Sequence, residues 1–509
     1  MRKPIWLLLA ATAVSSLALA LPSSASDSHV SHNIAAHITA GDKKMKANDI
    51  AGARVEYEAA AADPALDQMP FAERHALLSV LALTEAATND YQAAYDHLSQ
   101  AGPALSDNSD FAYYSAMVSA ADATGHGDQA VEAFGWMADT HPKVTAHYAL
   151  GAVYDISALA AKKNDGGATQ RRLLESLWGD HYTSPDIFDP MDELWFDLFA
   201  DEVAAGNDAK AREIMATFTA PEIAVRLRSD KRYARFVAAD PAHADLSAMT
   251  EASIARARSL MNAHPDSIEA VQSVVSYLLN ANRLDEALKL ADDTLAKVAA
   301  AGSKPAYTDQ AEKLHWLEMS RSVAMRRFGH GEDETKALEN ARDNALANSY
   351  DKVSQAINLG DRYIVLGRSQ DALDAVKDVD GHVSPYGMMS GMAVRACAYS
   401  QLGDKARLAD AMTYLKAHAD DGFGPYTDAL ACADDDAGLA AFLIARLDNP
   451  MTRNLTLYKL QDFLTSPTTP IQQTWRAVWK KTLERDDVKA AVDKYGSIDS
   501  YPIYDPLDG

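Results

Sequence analysis

A short motif recurs along this chain: an Asn or Gly interrupts an apolar helical pattern, and a small residue follows five positions later. The pairs are Asn48 and Ala53, Asn89 and Ala94, Gly125 and Ala130, Gly206 and Ala211, Asn282 and Ala287, and Gly367 and Ala372. Gly403 and Gly438 continue the series with Leu408 and Leu443 in place of Ala. Asn and Gly tolerate the left-handed backbone that ends a helix, and a small residue lets two helices approach closely. The motif therefore predicts successive helical hairpins.

The residues on either side of each break support this interpretation. Before Asn282, the apolar residues follow the i, i+3, i+4 spacing of one helical stripe: Val271, Val274, Val275, Leu278 and Leu279. A second stripe follows the break. The last two spacings between break residues are 36 (403 − 367) and 35 (438 − 403). Helix pairs that repeat at such a period predict an α-solenoid.

Several of these stretches resemble the tetratricopeptide-repeat superfamily. They are NDIAGARVEYEAAAADP (48–64), GHGDQAVEAFGWMADTHP (125–142) and LGDRYIVLGRSQDAL (359–373). The resemblance covers roughly two-thirds of the chain and implies an all-α fold, an α-solenoid of degenerate hairpins. An irregular helical bundle is the alternative, because some spacings exceed the usual period. No alternating apolar pattern predicts a sheet.

The ends and breaks of the repeat suggest a division of the chain. Residues 1–25 read as a signal peptide, 26–228 as a first helical array, 229–247 as a connecting segment and 248–448 as a second array. Residues 449–509 read as a helical cap, in which Trp475, Val478, Trp479 and Leu483 share one face, followed by an extended tail. An irregular loop interrupts the first array between Trp178 and Met191.

The first 25 residues have the order of a secretory signal: two cations, an apolar run, and small residues ending at Ala25. The sequence therefore predicts an exported bacterial protein, periplasmic or secreted, with no membrane span in the mature chain. The formal net charge of −24 at pH 7 opposes binding to nucleic acid, because phosphate recognition needs clustered cations.

Cys397 and Cys432 each lie six residues before a break glycine, Gly403 and Gly438. Equivalent positions on stacked helices are about 8–10 Å apart. Disulfide formation needs Cα atoms closer than about 7 Å. This register predicts two free thiols.

Two charged segments stand out from the repeat. Carboxylates and a His crowd the loop 180–193, and they are Asp180, His181, Asp186, Asp189, Asp192 and Glu193. Such a loop could bind a metal or small ligand, but Asp192 and Glu193 also suit the first turn of a helix. The second segment concentrates Arg226, Arg228, Lys231, Arg232 and Arg235, either on an exposed helix face or as a docking site.

The sequence lacks the GxSxG, HExxH, GxxxxGK[ST] and GxGxxG signatures, and it indicates no cofactor. The resemblance implies instead that the first helix of each hairpin lines a concave groove for a protein or peptide. Transferred residue by residue, that face contains Glu193, Phe196, Glu269, Gln272, Ser276, Asn280, Asp361, Ser400 and Gln401. The Lys/Asn pair with which some relatives bind a peptide carboxylate is missing, so a partner carrying Lys or Arg fits better.

The sequence therefore predicts a non-catalytic scaffold or adaptor. The alternative is an envelope enzyme or a metal- or ligand-binding protein that uses the loop 180–193.

Overall fold

The computed structural model describes residues 31–505, apart from 103–109, 147, 164, 189 and 382. The predicted signal peptide lies outside the described residues. The chain divides into two compact units, one up to Ile214 and one from Met215 onward. The segment 229–247, where the sequence predicts a connection between two arrays, lies inside the second unit.

The first unit consists of helices joined by short turns. They are α1 (His32–Lys46), α2 (Ile50–Ala61), α3 (Phe71–Ala87), α4 (Tyr91–Ala101), α5 (Phe111–Ala123), α6 (Gly127–Thr140), α7 (Pro142–Thr145), α8 (Leu150–Ala161), α9 (Ala168–Gly179), α10 (Asp192–Ala205) and α11 (Asp208–Met215). A short 3-10 helix covers Pro64–Gln68. Within the pairs α1/α2, α3/α4 and α5/α6 the two helices pack against each other. The irregular loop predicted before Met191 is present between α9 and α10.

The second unit begins with short elements and continues as hairpins. Its helices are α12 (Pro221–Ser229), α13 (Ala234–Ala239), α14 (Leu246–Ala263), α15 (Ile268–Asn280), α16 (Leu284–Ala301), α17 (Gln310–Phe328), α18 (Gly331–Asn348), α19 (Lys352–Val365), α20 (Ser369–Ala375), α21 (Pro385–Leu402), α22 (Lys405–Ala417), α23 (Phe423–Cys432), α24 (Asp436–Asp448), α25 (Pro450–Lys459), α26 (Pro470–Leu483) and α27 (Asp486–Tyr495). The 3-10 helices are Lys231–Tyr233, Pro241–Ala244 and Ala419–Asp421. No helix in the described part of the chain is both long enough and apolar enough to cross a bilayer.

The predicted break residues end helices as expected. Positive φ angles occur at Asn48 (59°), Asn89 (65°), Asn282 (58°), Gly125 (82°), Gly206 (79°), Gly367 (74°) and Gly403 (71°). The Ala five residues after each of the first six breaks is fully buried. The Asp that follows several breaks caps the next helix, as when the Asp49 carboxylate accepts the Gly52 amide at 2.9 Å. The hairpin prediction is therefore confirmed.

Gly360 shows why the helices need small residues where they cross. A Cβ atom at Gly360 would lie 2.9 Å from Cγ1 of Val376 at the end of α20, and 3.2 Å from Cγ1 of Val394 on α21. Tyr363 is buried beside this contact, and its hydroxyl lies 3.4 Å from the Glu339 carboxylate. The absence of a side chain at Gly360 therefore permits α19 to pack against its neighbours.

The predicted break at Gly438 is wrong by four residues. Gly438 lies inside α24, and the residue with positive φ is Asp434 (56°). Asp435 then caps α24 by accepting the Gly438 amide at 2.7 Å. Cys432 is therefore two residues before its break, whereas Cys397 is six residues before Gly403.

The prediction of two free thiols is also wrong, for the same reason. Because Cys397 and Cys432 do not occupy equivalent repeat positions, the spacing of stacked helices does not apply to them. Their Cα atoms are 5.1 Å apart and their sulfur atoms form a disulfide. This bond joins α21 to α23, the first helices of two successive hairpins.

The C-terminal segment contains a small sheet that the sequence analysis did not predict. Strands β1 (Asp462–Leu464) and β2 (Ser500–Tyr504) pair in parallel, with Asp462 opposite Ser500 and Leu464 opposite Tyr504. Within the predicted extended tail, residues 500–504 form strand β2. Alternation over three to five residues is too short a pattern to distinguish from a turn.

The start and end of the second unit pack together. Helix α12 contacts α25, and Val225, Tyr458, Tyr501 and Ile503 form a shared apolar cluster. The Ser497 amide also donates to the Ser229 carbonyl at 3.1 Å. The second unit is therefore closed on itself.

Candidate binding site on the first-helix face

The first helices of the hairpins in the second unit share a cavity of about 380 Å³. We call the surface that these helices present the first-helix face. Helices α17, α19, α21 and α23 line the cavity, together with α18 and the start of α26. Its apolar wall includes Val323, Leu338, Ile364 and Trp475. The cavity also contains five charged side chains: Asp428 and two pairs, which are Glu334 with Arg362 and Arg326 with Asp361.

The first pair is a structural ion pair. The Arg362 guanidinium lies 2.8 Å from the Glu334 carboxylate, and both side chains are buried. Arg362 also donates to the Gly331 carbonyl at 2.7 Å and to the Thr335 hydroxyl at 3.0 Å. Burial raises the pKa of Glu334 and lowers the pKa of Arg362, and the charge of each partner opposes the shift of the other. The two charges are therefore already compensated within the protein.

The second pair is different. Neither the Arg326 side chain nor the Asp361 side chain forms a hydrogen bond or an ion pair with any residue that the structure describes. The Nε atom of Arg326 is buried and has no acceptor. Because a buried donor without an acceptor costs about 1–3 kcal/mol, such groups are exceptions in folded proteins. Arg326 and Asp361 are therefore the candidate ligand-binding groups.

Asp361 is open to solvent on one side, while the cavity wall surrounds its other sides. Loss of hydration and, to a smaller extent, the nearby Asp428 carboxylate together raise the pKa of Asp361 to about 8, although Arg326 opposes the shift. A cation in the cavity would interact favourably with the ionised form of Asp361. The Asp361 carboxyl group therefore suits a basic ligand.

Helix α26 covers part of this face. Gln472 and Trp475 line the cavity from above the first helices. The start of α26 and the residues just before it lie close to the ends of α17 and α19. A Cβ atom at Gly329 would lie 3.5 Å from Pro467, and one at Gly367 would lie 3.4 Å from Ile471, in the first turn of α26. Trp475, which lies in the predicted C-terminal cap, therefore forms part of the cavity wall.

The sequence-predicted site residues fall into distinct groups. Gln272, Ser276 and Asn280 are half-buried on α15 and have no hydrogen-bond partner among the described side chains. Together with Asp361, they remain available for a ligand.

Three other predicted residues connect helices within the protein. Glu269 forms an ion pair of 2.6 Å with Lys313 on the next first helix. The Ser400 hydroxyl donates to the Cys432 carbonyl at 2.7 Å. Gln401 donates to the Ile364 carbonyl at 3.0 Å and accepts from the Ser369 hydroxyl at 2.5 Å. These three side chains therefore connect adjacent hairpins, and their assignment to a partner-binding face stays a prediction.

The two predicted residues of the first unit do not form a site. Phe196 is 1% exposed and packs against Phe199, so its assignment to a groove is wrong. Glu193 is half-buried on the same helix, near Tyr154. Burial, followed by the charge of Glu193, raises the pKa of Tyr154. Helical spacing could not distinguish the buried from the exposed side of α10, since apolar residues surround most of it.

Arg326 was not among the residues predicted from the sequence, because the α17/α18 hairpin lacks the small residue five positions after its break. Gly329 ends α17 with a φ of 80°, but the residue five positions later is Glu334. That position is buried, as in the other hairpins, and here the ion pair with Arg362 compensates the charge. A sequence search for a glycine that ends a helical pattern, without the requirement for a small residue five positions later, would have identified this hairpin.

The acidic loop 180–193 has a structural role at its centre. The Asp186 carboxylate accepts the Leu150 amide at 2.9 Å and so caps α8. Asp192 begins α10, as expected for a first-turn acid. Asp189 lies outside the described residues. Among the described residues, no group of three or more His, Cys, Asp or Glu is placed to hold a metal ion.

Comparisons with known proteins add little to this site. No family model matches the chain, and no curated protein matches its sequence. The chain is similar to a Rap protein complexed with competence and sporulation factor (11% identity, TM-score 0.34, 91% of this chain and 98% of that chain). It is also similar to the APC/C hetero-tetramer Cut9-Hcn1 (12%, 0.30, 91% and 90%) and to Naa15/Naa10 bound to HypK-THB (13%, 0.25, 90% and 80%).

The successive antiparallel helix pairs of the chain itself show the helical-repeat architecture expected from the tetratricopeptide resemblance.

Proposed function

We propose that this protein is a non-catalytic helical-repeat scaffold that binds a protein or peptide on the first-helix face of its second unit. The observation that carries the proposal is Asp361: an acid without a partner, in a cavity shared by four first helices. Gln272, Ser276 and Asn280 extend the available polar surface along α15.

The charge of the site indicates a basic group on the partner. Asp361 lies near Asp428, and the chain as a whole has a net charge of −24. A Lys or Arg side chain entering the cavity would stabilise the ionised Asp361 and would be attracted over a longer range by the acidic protein. An acidic partner would meet repulsion at the same position.

A binding role fits the cavity better than catalysis. The Ser322 hydroxyl donates to the Met319 carbonyl of its own helix at 2.7 Å, so no base activates it. Glu334 and Arg362 are compensated by each other. Among the described cavity residues, we find no nucleophile that is hydrogen-bonded to a general base. The enzyme or metal-binding alternative at loop 180–193 gains no support, because Asp186 caps α8.

A set of matched peptides tests the proposal directly. Four acetylated and amidated Ala-rich peptides would differ only at a central Lys, Arg, Gln or Glu, and their affinities would be measured for the chain from residue 26 onward. We expect tighter binding of the Lys and Arg peptides, and loss of that preference in Asp361→Asn. The control Asp410→Asn removes an exposed acid from the outer helix α22 and should behave like wild type. Equal binding of all four peptides would contradict the proposal.

We also propose that the scaffold acts outside the cytoplasm. The order of residues 1–25 supports export. Cell fractionation and N-terminal sequencing of the natural protein would test this, with Ser26 as the expected first residue. An intact N terminus in the cytoplasmic fraction would contradict it.

A further inference from the structure

We infer that the cavity recognises a basic group and a neighbouring carboxylate on one ligand, with Asp361 facing the cation and Arg326 facing the carboxylate. The inference rests on the proposed function, since it names the chemistry of the group that enters the same cavity. It adds an anion-binding half that the sequence analysis did not expect, because Arg326 lies in the hairpin that lacks the repeat motif.

Arg326 is available to an anion. It lies in the last turn of α17, and its Nε atom is buried without an acceptor. The other cavity cation, Arg362, already contacts Glu334, Gly331 and Thr335. A carboxylate matches the planar donor geometry of a guanidinium. Arg326 is therefore the group that a ligand carboxylate would contact.

Arg326 and Asp361 do not satisfy each other. They interact through space, since Arg326 opposes the raised pKa of Asp361, but no hydrogen bond or ion pair joins them. Both side chains line the same cavity. A cation and an acid that line the same cavity without bonding to each other can both be satisfied by one ligand of opposite polarity.

The cavity has the size and lining for one residue-sized ligand. Its volume of about 380 Å³ lies near the lower end of the range for small-ligand sites, about 300–1,000 Å³. Trp475 and Leu338 supply an apolar wall for the methylene groups of a Lys or Arg side chain, and the indole face also attracts a cation.

Two sources supply this chemistry: a free basic amino acid and the C-terminal Lys or Arg residue of a peptide. L-Arginine represents the first source, and agmatine is the same molecule without the carboxylate. Acetyl-Ala-Ala-Ala-Arg represents the second source, and its C-terminal amide lacks the charge. Titration calorimetry on the chain from residue 26 onward would compare both pairs.

In at least one pair, we expect the compound with the carboxylate to bind about tenfold or more tightly than its counterpart without a carboxylate, the size of a charged hydrogen bond. Arg326→Met should reduce that ratio to about one, while Arg326→Lys should retain part of it. Arg342→Met removes a cation from the outer helix α18 and should leave the ratio unchanged. Asp361→Asn should weaken both members of the pair. A preference within the arginine pair identifies the free amino acid, and one confined to the peptide pair identifies the terminal residue.

The outcomes separate this inference from the proposed function. If agmatine and the peptide amide bind as tightly as the acids, the carboxylate half is overturned and the recognition of a basic group by Asp361 stands. If none of the four compounds binds while all variants melt like wild type, both proposals are overturned. If Arg326→Met binds with an unchanged ratio, the assignment of Arg326 is wrong.

Discussion

The Nε atom of Arg226 donates a hydrogen bond of 2.7 Å to the Oδ1 atom of Asn454, 228 residues further along the chain. The Asn454 amide in turn donates to the Arg226 carbonyl at 2.9 Å, and both residues are buried. Close by, Arg232 forms an ion pair of 2.6 Å with the buried Asp230. The basic segment that stands out in the sequence thus docks within the protein, and its contacts hold the two ends of the second unit together.

Replacing Asn454 with Ala should destabilise the second unit. The substitution removes both hydrogen bonds that join the Asn454 side chain to the buried Arg226, so we expect a loss of about 1–3 kcal/mol in the free energy of unfolding. Urea unfolding of the variant measures this. Asn348→Ala is the matched control, because the Asn348 amide makes only an exposed contact with Asn344 in the same helix. A loss no larger than that of the control would show that the contact does not hold the closure.

Removing the Cys397–Cys432 disulfide should also lower stability. The bond closes a loop with a sequence separation of 35. The chain-entropy model then assigns it roughly 3–4 kcal/mol. We expect the Cys397→Ala, Cys432→Ala double variant to unfold at lower urea concentration, and adding reductant to shift the wild type alone. Alkylation of the folded and unfolded wild type without reductant should label neither cysteine. Two labelled cysteines would contradict the disulfide.

The hairpins could be predicted from the sequence, because a left-handed turn residue and a small crossing residue each have a direct steric cause. The same reasoning failed where another residue met the steric need. Asp434 takes the positive φ expected at Gly438, and Glu334 occupies the buried crossing position after Gly329. Because the break was placed at Gly438, Cys432 was assigned to the wrong repeat position. Because Glu334 is not a small residue, the hairpin that contains Arg326 was not recognised.

The binding face could be predicted only in part. Helical spacing predicts a face containing Asp361 and Asn280, but it could not show which polar groups adjacent hairpins satisfy. Ser400 and Gln401 form such contacts over 32 and 37 residues. The contribution of Trp475 was equally hidden, since nothing in its helix specifies where that helix docks.

In the first unit, His75 should make stability depend on pH. Both of its ring nitrogens face acceptors: the Ala101 carbonyl at 3.1 Å and the Asp110 carboxylate at 2.9 Å. Burial alone would lower the pKa of His75, but these contacts outweigh it and raise the pKa above 6.5. The stabilisation is therefore full below about pH 6.5 and is lost as pH rises through the higher folded pKa.

Thermal unfolding of wild type and His75→Gln across this pH range measures the contribution of His75. We expect the difference in melting temperature between them to be largest at the acidic end and to shrink as pH rises. His330→Gln is the control, because His330 is an exposed residue directly before α18 in the second unit. A difference that stays constant with pH would contradict a charged His75 in the folded state.

Asp361 should destabilise the protein as pH rises, while Asp361→Asn should not. Its pKa is raised from 3.8 to about 8 in the folded state, so the folded chain holds this proton more tightly than the unfolded chain. Stability therefore falls as pH rises between these values, and the variant should melt at a higher temperature than wild type near pH 8. Asp410→Asn, on an exposed surface, should follow the wild type.

Binding of L-arginine to wild type should release a proton near neutral pH, which calorimetry in buffers of different ionisation enthalpy detects. If Asp361→Asn shows the same pH dependence as wild type, Asp361 is not the titrating acid of the cavity.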